Sequence, residues 1–213
     1  ERYQGVARAM GEERLQHAFD AYVHEGSIAR EGQAGFGTFD IARALGFSEQ
    51  QATSIARADY DVDVNLTGLK GPDGQERVTA SKAGGDLQFH FNRSPRGQED
   101  SRITAARTHL DRAVALAQAG EYDAAEHEVG LGLHGLQDVF AHGQMTSVGH
   151  CMLGGFPDEV AEVPLIAREA ELATRAYLAR LVEAAGVRPL ASSVPLPEGV
   201  QSLAPSRALA GLP

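Results

Sequence analysis

Residues 130–150 read GLGLHGLQDVFAHGQMTSVGH, and the expected fold and chemistry follow from this stretch. His134, Asp138 and His142 are spaced four apart, so on a helix their side chains fall within roughly 80° of one another, on one face. Two imidazoles and a carboxylate there supply nitrogen and oxygen ligands for a divalent cation such as zinc. A lone histidine on such a face is usually a core residue, but the three groups together would bury a charge without a partner. The spacing therefore predicts a metal-binding helix.

The same helix contains three glycines, Gly130, Gly132 and Gly135. Each costs a helix roughly 1 kcal/mol relative to alanine. Their presence predicts that a neighbouring helix, or the backbone of a ligand, approaches this helix closely.

Composition limits the classes of protein that the chain can belong to. Its 213 residues, 43% of them hydrophobic, are enough for one domain with a sizeable core. The formal charge of -10 disfavours broad adhesion to nucleic acid or anionic membrane, unless bound cations supply positive charge locally. No apolar run is long enough to predict a transmembrane segment, and the single cysteine, Cys151, excludes internal disulfides.

Helical periodicity and capping signals recur along the chain. Thr38 is expected to cap a helix that ends near Gly46, and Ser48 with Gln51 forms a capping box for the next helix. Ser101 is expected to cap a further helix that stops at Gly120. We therefore predict an all-α, compact multi-helix domain over residues 1–186, with a long irregular loop at 64–100 and a proline-rich extended or disordered tail at 187–213. One or two helices are expected within 3–25, and further helices at 38–46, from 48 up to the aspartates at 59–63, and at 101–119, 121–142 and 158–185.

Further candidate ligands lie outside the central helix. Asp59, Asp61 and Asp63 alternate directly after the second helix, as metal carboxylates or as solvated turn residues. His90 lies between Phe89 and Phe91, which predicts a short extended piece packed against the core that holds the imidazole in a fixed direction.

Several other polar residues are candidates for parts of a site. Arg93 and Arg96 could orient an anionic oxygen, although a charged loop is the simpler interpretation. His17 and His24 are interpreted as surface or half-buried histidines that are able to reach a site. Capable ligands also follow the central helix, namely His150, Cys151, Asp158 and Glu159.

The segment LHGLQDVFAHG resembles the central metal helix of the all-helical zinc-dependent phospholipase C superfamily, which includes the fungal and plant zinc nucleases. The resemblance is to uncharacterised bacterial relatives and covers about residues 36–180. It also rests on TFDIARALGFSEQQATSIARADYDVDVN, the aromatic-flanked His90, GH at 149–150 and PDEV. It implies one to three zinc ions, bound by Asp61, Asp63, His90, His134, Asp138, His142, His150 and Asp158, with Glu159 as an alternative to Asp158.

The resemblance also implies an activity, the metal-assisted hydrolysis of a phosphodiester in a phospholipid or a nucleotide. Asp61 or Asp63 would orient the nucleophile. The family's early histidine has no counterpart in GFGTFD, so either His24 or His17 replaces it or one metal position is empty.

Other functions stay open at this point. One alternative is a non-catalytic helical domain with a structural metal, and another is a zinc nuclease. A thiol hydrolase built on Cys151 and His150 is the weakest, because adjacent residues rarely point at each other. The first residue is Glu1 rather than methionine, from which we expect a toxin or effector domain that is secreted or delivered as part of a larger protein.

Overall fold

The computed structural model describes residues 24, 37–79, 88–144, 146 and 164–184. Over these residues the fold is all-α, as predicted, with a single isolated β-bridge between Lys70 and Glu76 and no strand. The expected helix at 3–25 apart from His24, the start of the last helix, the domain boundary at 186 and the tail at 187–213 lie outside the described residues. The described residues form five helices, α1 (Thr38–Ala44), α2 (Glu49–Val64), α3 (Ser101–Gln118), α4 (Tyr122–His142) and α5 (Pro164–Ala184).

Helix α4 is the central element of the fold. It packs against α2, α3 and α5, and its residues 129–138 are all buried. A helix that is buried on every side belongs to the interior of a domain, which explains why apolar residues surround the polar stripe. The main core comprises residues of all five helices, including Ile41, Ile55, Leu110, Leu133, Leu136, Tyr177 and Leu178.

The glycines of α4 allow close helix packing, as predicted. A Cβ atom at Gly130 would lie 2.5 Å from Ala58 Cβ and 2.6 Å from the Ile55 carbonyl oxygen, both on α2. A Cβ at Gly132 would overlap the Tyr177 hydroxyl. The glycines thus lower the intrinsic helix propensity of α4 but allow α2 and α5 to pack closely against it.

Of the three N-cap predictions, one is confirmed and two were wrong. The box formed by Ser48 and Gln51 is confirmed, with both reciprocal hydrogen bonds present. The prediction for Thr38 was wrong, because Gly37 is the N-cap and the Thr38 hydroxyl instead donates to Asp59 at 2.7 Å. The prediction for Ser101 was also wrong by one residue, since the cap is Asp100, whose carboxylate accepts from the Arg102 amide.

Two local conformations differ from those expected. Helix α2 continues to Val64 and ends at Asn65 in the left-handed conformation, so the three aspartates lie within its last turns rather than in a loop. Residues 88–90 form a turn instead of an extended piece, although Phe89 and Phe91 are both buried as expected. Each change alters which side chains share a face.

Among the described helices, none combines the length and apolarity that a membrane crossing requires.

Candidate metal centre

Ligand-type side chains from four parts of the chain meet beside the middle of α4. His134, Asp138 and His142 come from α4, Asp63 from α2, His90 from the turn at 88–90, and His24 from upstream of α1. All are buried except Asp63, whose side chain is 19% exposed. The accessible side of the cluster is therefore the side of Asp63.

Four atoms form the tightest group in this cluster. His90 Nδ1 lies 3.0 Å from Asp138 Oδ2 and 3.2 Å from His134 Nε2, and the latter two atoms are 3.6 Å apart. Asp63 Oδ1 lies 3.8 Å from His90 Nδ1 and 3.6 Å from His134 Nε2. Around zinc, with bonds of 2.0–2.1 Å, tetrahedral ligands are separated by about 3.3–3.4 Å. These five separations are close to that value, so the atoms could bind one cation.

The far nitrogens of the histidines are held by hydrogen bonds. His134 Nδ1 lies 3.0 Å from the Asp59 carbonyl oxygen, and His90 Nε2 lies 2.8 Å from the Thr79 carbonyl oxygen. A carbonyl can only accept, so these far nitrogens carry protons, and the inward nitrogens are the atoms left to bind an ion. Metal-binding histidines are usually held in this way.

A second, wider group involves the outer carboxylate oxygens. Asp138 Oδ1 lies 3.6 Å from His142 Nε2 and 4.0 Å from His24 Nε2, and Asp63 Oδ2 lies 3.8 Å from His24 Nε2. These separations leave room for a second cation or a water molecule. Both aspartates could therefore connect two adjacent positions.

Asp59 belongs to a polar network behind the imidazoles. Its Oδ1 lies 2.9 Å from His24 Nδ1, and its Oδ2 accepts a hydrogen bond from Thr38. Gln137 accepts from His24 Nδ1 at 2.6 Å and donates to Thr38 at 2.8 Å. The His24 and His134 rings stack with their centroids 4.3 Å apart. This network fixes the rings in direction.

His24, Asp59 and His134 could themselves hold an ion, since their ligand atoms lie within 4.8 Å of one another, as do those of Asp63, His90 and His134. We favour the group with Asp63 and His90. In the other group, the Nδ1 atoms of His24 and His134 already face Gln137 and the Asp59 carbonyl. Binding there would sacrifice both hydrogen bonds.

Arg102 connects the elements that carry the ligands. Its guanidinium is fully buried, pairs with both oxygens of Asp100, and donates to the carbonyls of His90 at 3.0 Å and Asp138 at 2.6 Å. It also donates to the Gly143 carbonyl just after α4. One side chain thus joins the turn at 88–90 to the end of α4.

The charges of the cluster depend on one another. Burial alone would lower the pKa of His24, but the carboxylates of Asp59, Asp63 and Asp138 outweigh it and raise the pKa well above its usual value. Burial would raise the pKa of Asp138, but His142, His134 and His90 together hold it far below its usual value. The buried carboxylates therefore require positive charge, from protonated imidazoles or from a cation.

The residues present fit a divalent metal. Two nitrogen and two oxygen donors, with the five separations given above between 3.0 and 3.8 Å, suit zinc, and the mixed donor set also accepts manganese or iron. In addition, Asp63 Oδ2 is a buried oxygen without a hydrogen-bond partner among the described residues. Buried oxygens of this kind rarely go unmatched in proteins.

The structure brings together five of the eight residues predicted as ligands, namely Asp63, His90, His134, Asp138 and His142. Asp61 contributes no atom to either candidate group, and its charged neighbours are Arg57 and His127. On a helix, residues two positions apart face different sides, so Asp61 and Asp63 do not share a face. In a loop, their alternation would have made both aspartates equally good candidate ligands. His150 and Asp158, with Cys151, Glu159 and His17, lie outside the described residues.

Sequence reasoning assigned no site role to Thr38 or Gln137. It named Asp59 only as one of three alternating aspartates, outside the ligand set that the resemblance implies, and His24 only as a histidine able to reach a site or to replace a missing one. The signal for Asp59 was its spacing of four from Asp63, which places both carboxylates on one face once α2 extends to Val64. No comparable spacing signal identifies His24, which meets Gln137 across 113 residues of chain.

Comparison with known proteins adds no relative. No family model, curated protein or solved structure matches this chain. Its structure and its donor groups define an all-helical domain with buried histidine and aspartate clusters that could bind metal.

Proposed function

We propose that the chain is a zinc-dependent hydrolase that cleaves phosphodiester bonds, in the manner of the phospholipase C superfamily that its central helix resembles. The observation that carries this proposal is the four-atom group of Asp63, His90, His134 and Asp138. Its spacing suits a catalytic cation, and one member, Asp63, is accessible from outside.

When bound, a divalent cation would supply Lewis acidity and make water acidic enough to attack near neutral pH. The protein residues have separate tasks. His90 and His134 direct their inward nitrogens toward the ion position, because their far nitrogens are held by backbone carbonyls. Asp63 Oδ2 lacks a hydrogen-bond partner among the described residues, so it can accept a proton from the attacking water and orient it.

Asp61 provides a matched control for Asp63, because both aspartates lie in the last turns of α2 on different faces. We expect Asp63→Asn to lower the hydrolysis of bis(p-nitrophenyl) phosphate by about 100-fold or more, the usual range for loss of a general base. Asp61→Asn should stay within about twofold of the wild type, since Asp61 contributes no atom to the candidate groups. Zinc content by elemental analysis and helicity by circular dichroism are measured on the same samples.

These assays can refute the proposal, and they can distinguish its candidate substrates. Equal losses in the two variants, or a purified protein that binds no divalent metal, would overturn the proposal. Phosphatidylcholine vesicles and a single-stranded oligonucleotide, assayed in parallel, distinguish a phospholipase from a zinc nuclease.

A structural metal site is the second candidate function. It is favoured by the burial of His24, His90 and His134, each no more than 2% exposed, because structural sites are closed to solvent. In that case the protein would bind zinc in fixed stoichiometry and hydrolyse none of the three substrates.

A further inference from the structure

A cavity of about 290 Å³ lies next to the metal centre. It is formed by the loop at 91–98 together with Gln144 and Thr146, which follow α4. Its volume is close to the lower end of the range for small-molecule sites, about 300 Å³.

Two arginines line this cavity, Arg93 and Arg96, and both are exposed. Among the described residues, neither guanidinium meets a carboxylate, whereas Arg102 and Arg107 on α3 both form paired contacts with acids. In a chain of formal charge -10, a cavity lined by two arginines and, among the described residues, by no acidic side chain is locally positive. Arginine donates in a planar fork that matches the oxygens of a phosphate.

The wall of the cavity is held by a set of hydrogen bonds. Asn92 Oδ1 accepts from the amides of Ser94 at 2.9 Å and Ser101 at 3.1 Å, and the Arg93 amide donates to Ser101 Oγ at 2.7 Å. Asn92 Nδ2 also donates to Gln144 Oε1 at 3.1 Å. The backbone that carries Arg93 is therefore attached to the start of α3 and to the end of α4, which reduces the entropy lost on binding.

Phe91 connects the cavity to the metal centre. Its ring lines the cavity and packs edge-on against His142, with the ring centroids 5.1 Å apart. His90, its neighbour in the chain, belongs to the four-atom group. A molecule in the cavity thus lies one side chain away from the candidate ligands.

We infer that Arg93 and Arg96 bind a phosphate group of a small soluble substrate, distinct from the phosphate that would be cleaved at the metal centre. This inference rests on the proposed function, because it extends that substrate to one with a second anionic group. A small molecule is favoured over a polyanion, because the cavity is small and the overall charge repels extended phosphate backbones.

The test is a calorimetric titration of the full chain with inorganic phosphate, after treatment with a chelator so that metal does not contribute. The Arg93→Gln/Arg96→Gln double variant should bind phosphate at least tenfold more weakly than the wild type. The control is Arg112→Gln/Arg180→Gln, which removes the same two charges from exposed positions on α3 and α5 and should change the affinity less than twofold.

Zinc titration of the same three proteins separates this inference from the proposed function. Suppose that all three proteins bind zinc. If their phosphate affinities are then equal, or if both double variants lose phosphate affinity equally, the phosphate site alone is overturned. A wild type that binds no zinc but still needs Arg93 and Arg96 for phosphate would overturn the proposed function and support the anion site. An oligonucleotide that binds tenfold more tightly than phosphate, through the same arginines, would overturn the assignment to a small molecule.

Discussion

At the scale of single residues, the candidate centre depends on side chains that would not bind the metal themselves. Asp59, Thr38 and Gln137 fix the direction of two imidazoles, and Arg102 joins the elements that carry the ligands. Such supporting residues determine whether donors sit at binding distance, because a ligand that can rotate loses affinity.

Two arginine pairs on α3 offer a direct comparison of burial. Arg102→Met would leave the buried Asp100 carboxylate without its partner and remove donors from three carbonyls, so we expect a loss of about 3–5 kcal/mol in the free energy of unfolding. Arg107→Met breaks the exposed pair with Glu99 and should cost less than about 1 kcal/mol. Urea unfolding at neutral pH measures both.

The same variants report on the metal centre. Arg102→Met should also lower zinc content, since His90 and the end of α4 lose their connection, whereas Arg107→Met should leave zinc content unchanged. Similar losses of stability in both variants would contradict the assigned role of Arg102.

At the scale of elements, α4 combines a polar stripe with glycines that let other helices approach. Gly130 allows the backbone of α2 to pass at the level of Asp59, since a Cβ there would lie 2.8 Å from the Asp59 amide nitrogen. The distance between α2 and α4 in turn determines whether the carboxylates of α2 reach the imidazoles of α4. The packing of these two helices is therefore part of the site.

The glycines of α4 should differ in their tolerance of alanine. Gly130→Ala would force α2 away and should destabilise the fold by about 1–3 kcal/mol or more, with reduced zinc content. Gly135→Ala is the control, because its Cβ would meet the Phe89 carbonyl oxygen at an ordinary 3.4 Å. Its effect should range from neutral to a gain of up to about 1 kcal/mol from helix propensity. Denaturant unfolding of both variants measures the difference, and equal effects would refute the close-packing explanation.

At the scale of the whole molecule, the candidate ligands join distant parts of the chain. Residues 24, 63, 90 and 134–142 converge, so a bound cation would connect the upstream segment, α2, the turn at 88–90 and α4. A ligand that binds only the folded chain stabilises it in proportion to its affinity and concentration.

Removal of metal should therefore lower the melting temperature. At a free zinc concentration 100 times the dissociation constant, the stabilisation amounts to about 2.7 kcal/mol. We expect EDTA to lower the Tm of the wild type and of His127→Ala, whose imidazole contacts the Thr67 carbonyl away from the cluster. His90→Ala should respond little to EDTA. A wild type whose Tm is the same with zinc and with EDTA would refute a metal site of this strength.

The sequence by itself determined the helical class, the capping box at Ser48, the close packing at Gly130 and the stripe of His134, Asp138 and His142. These features follow from local periodicity and spacing, which neighbouring residues impose through helix geometry. Only the tertiary structure decided that Asp63 and Asp59 face the imidazoles while Asp61 does not, and that His24 and Arg102 join the same cluster. Those contacts span up to 113 residues, and no local pattern encodes which distant side chains meet when the helices pack.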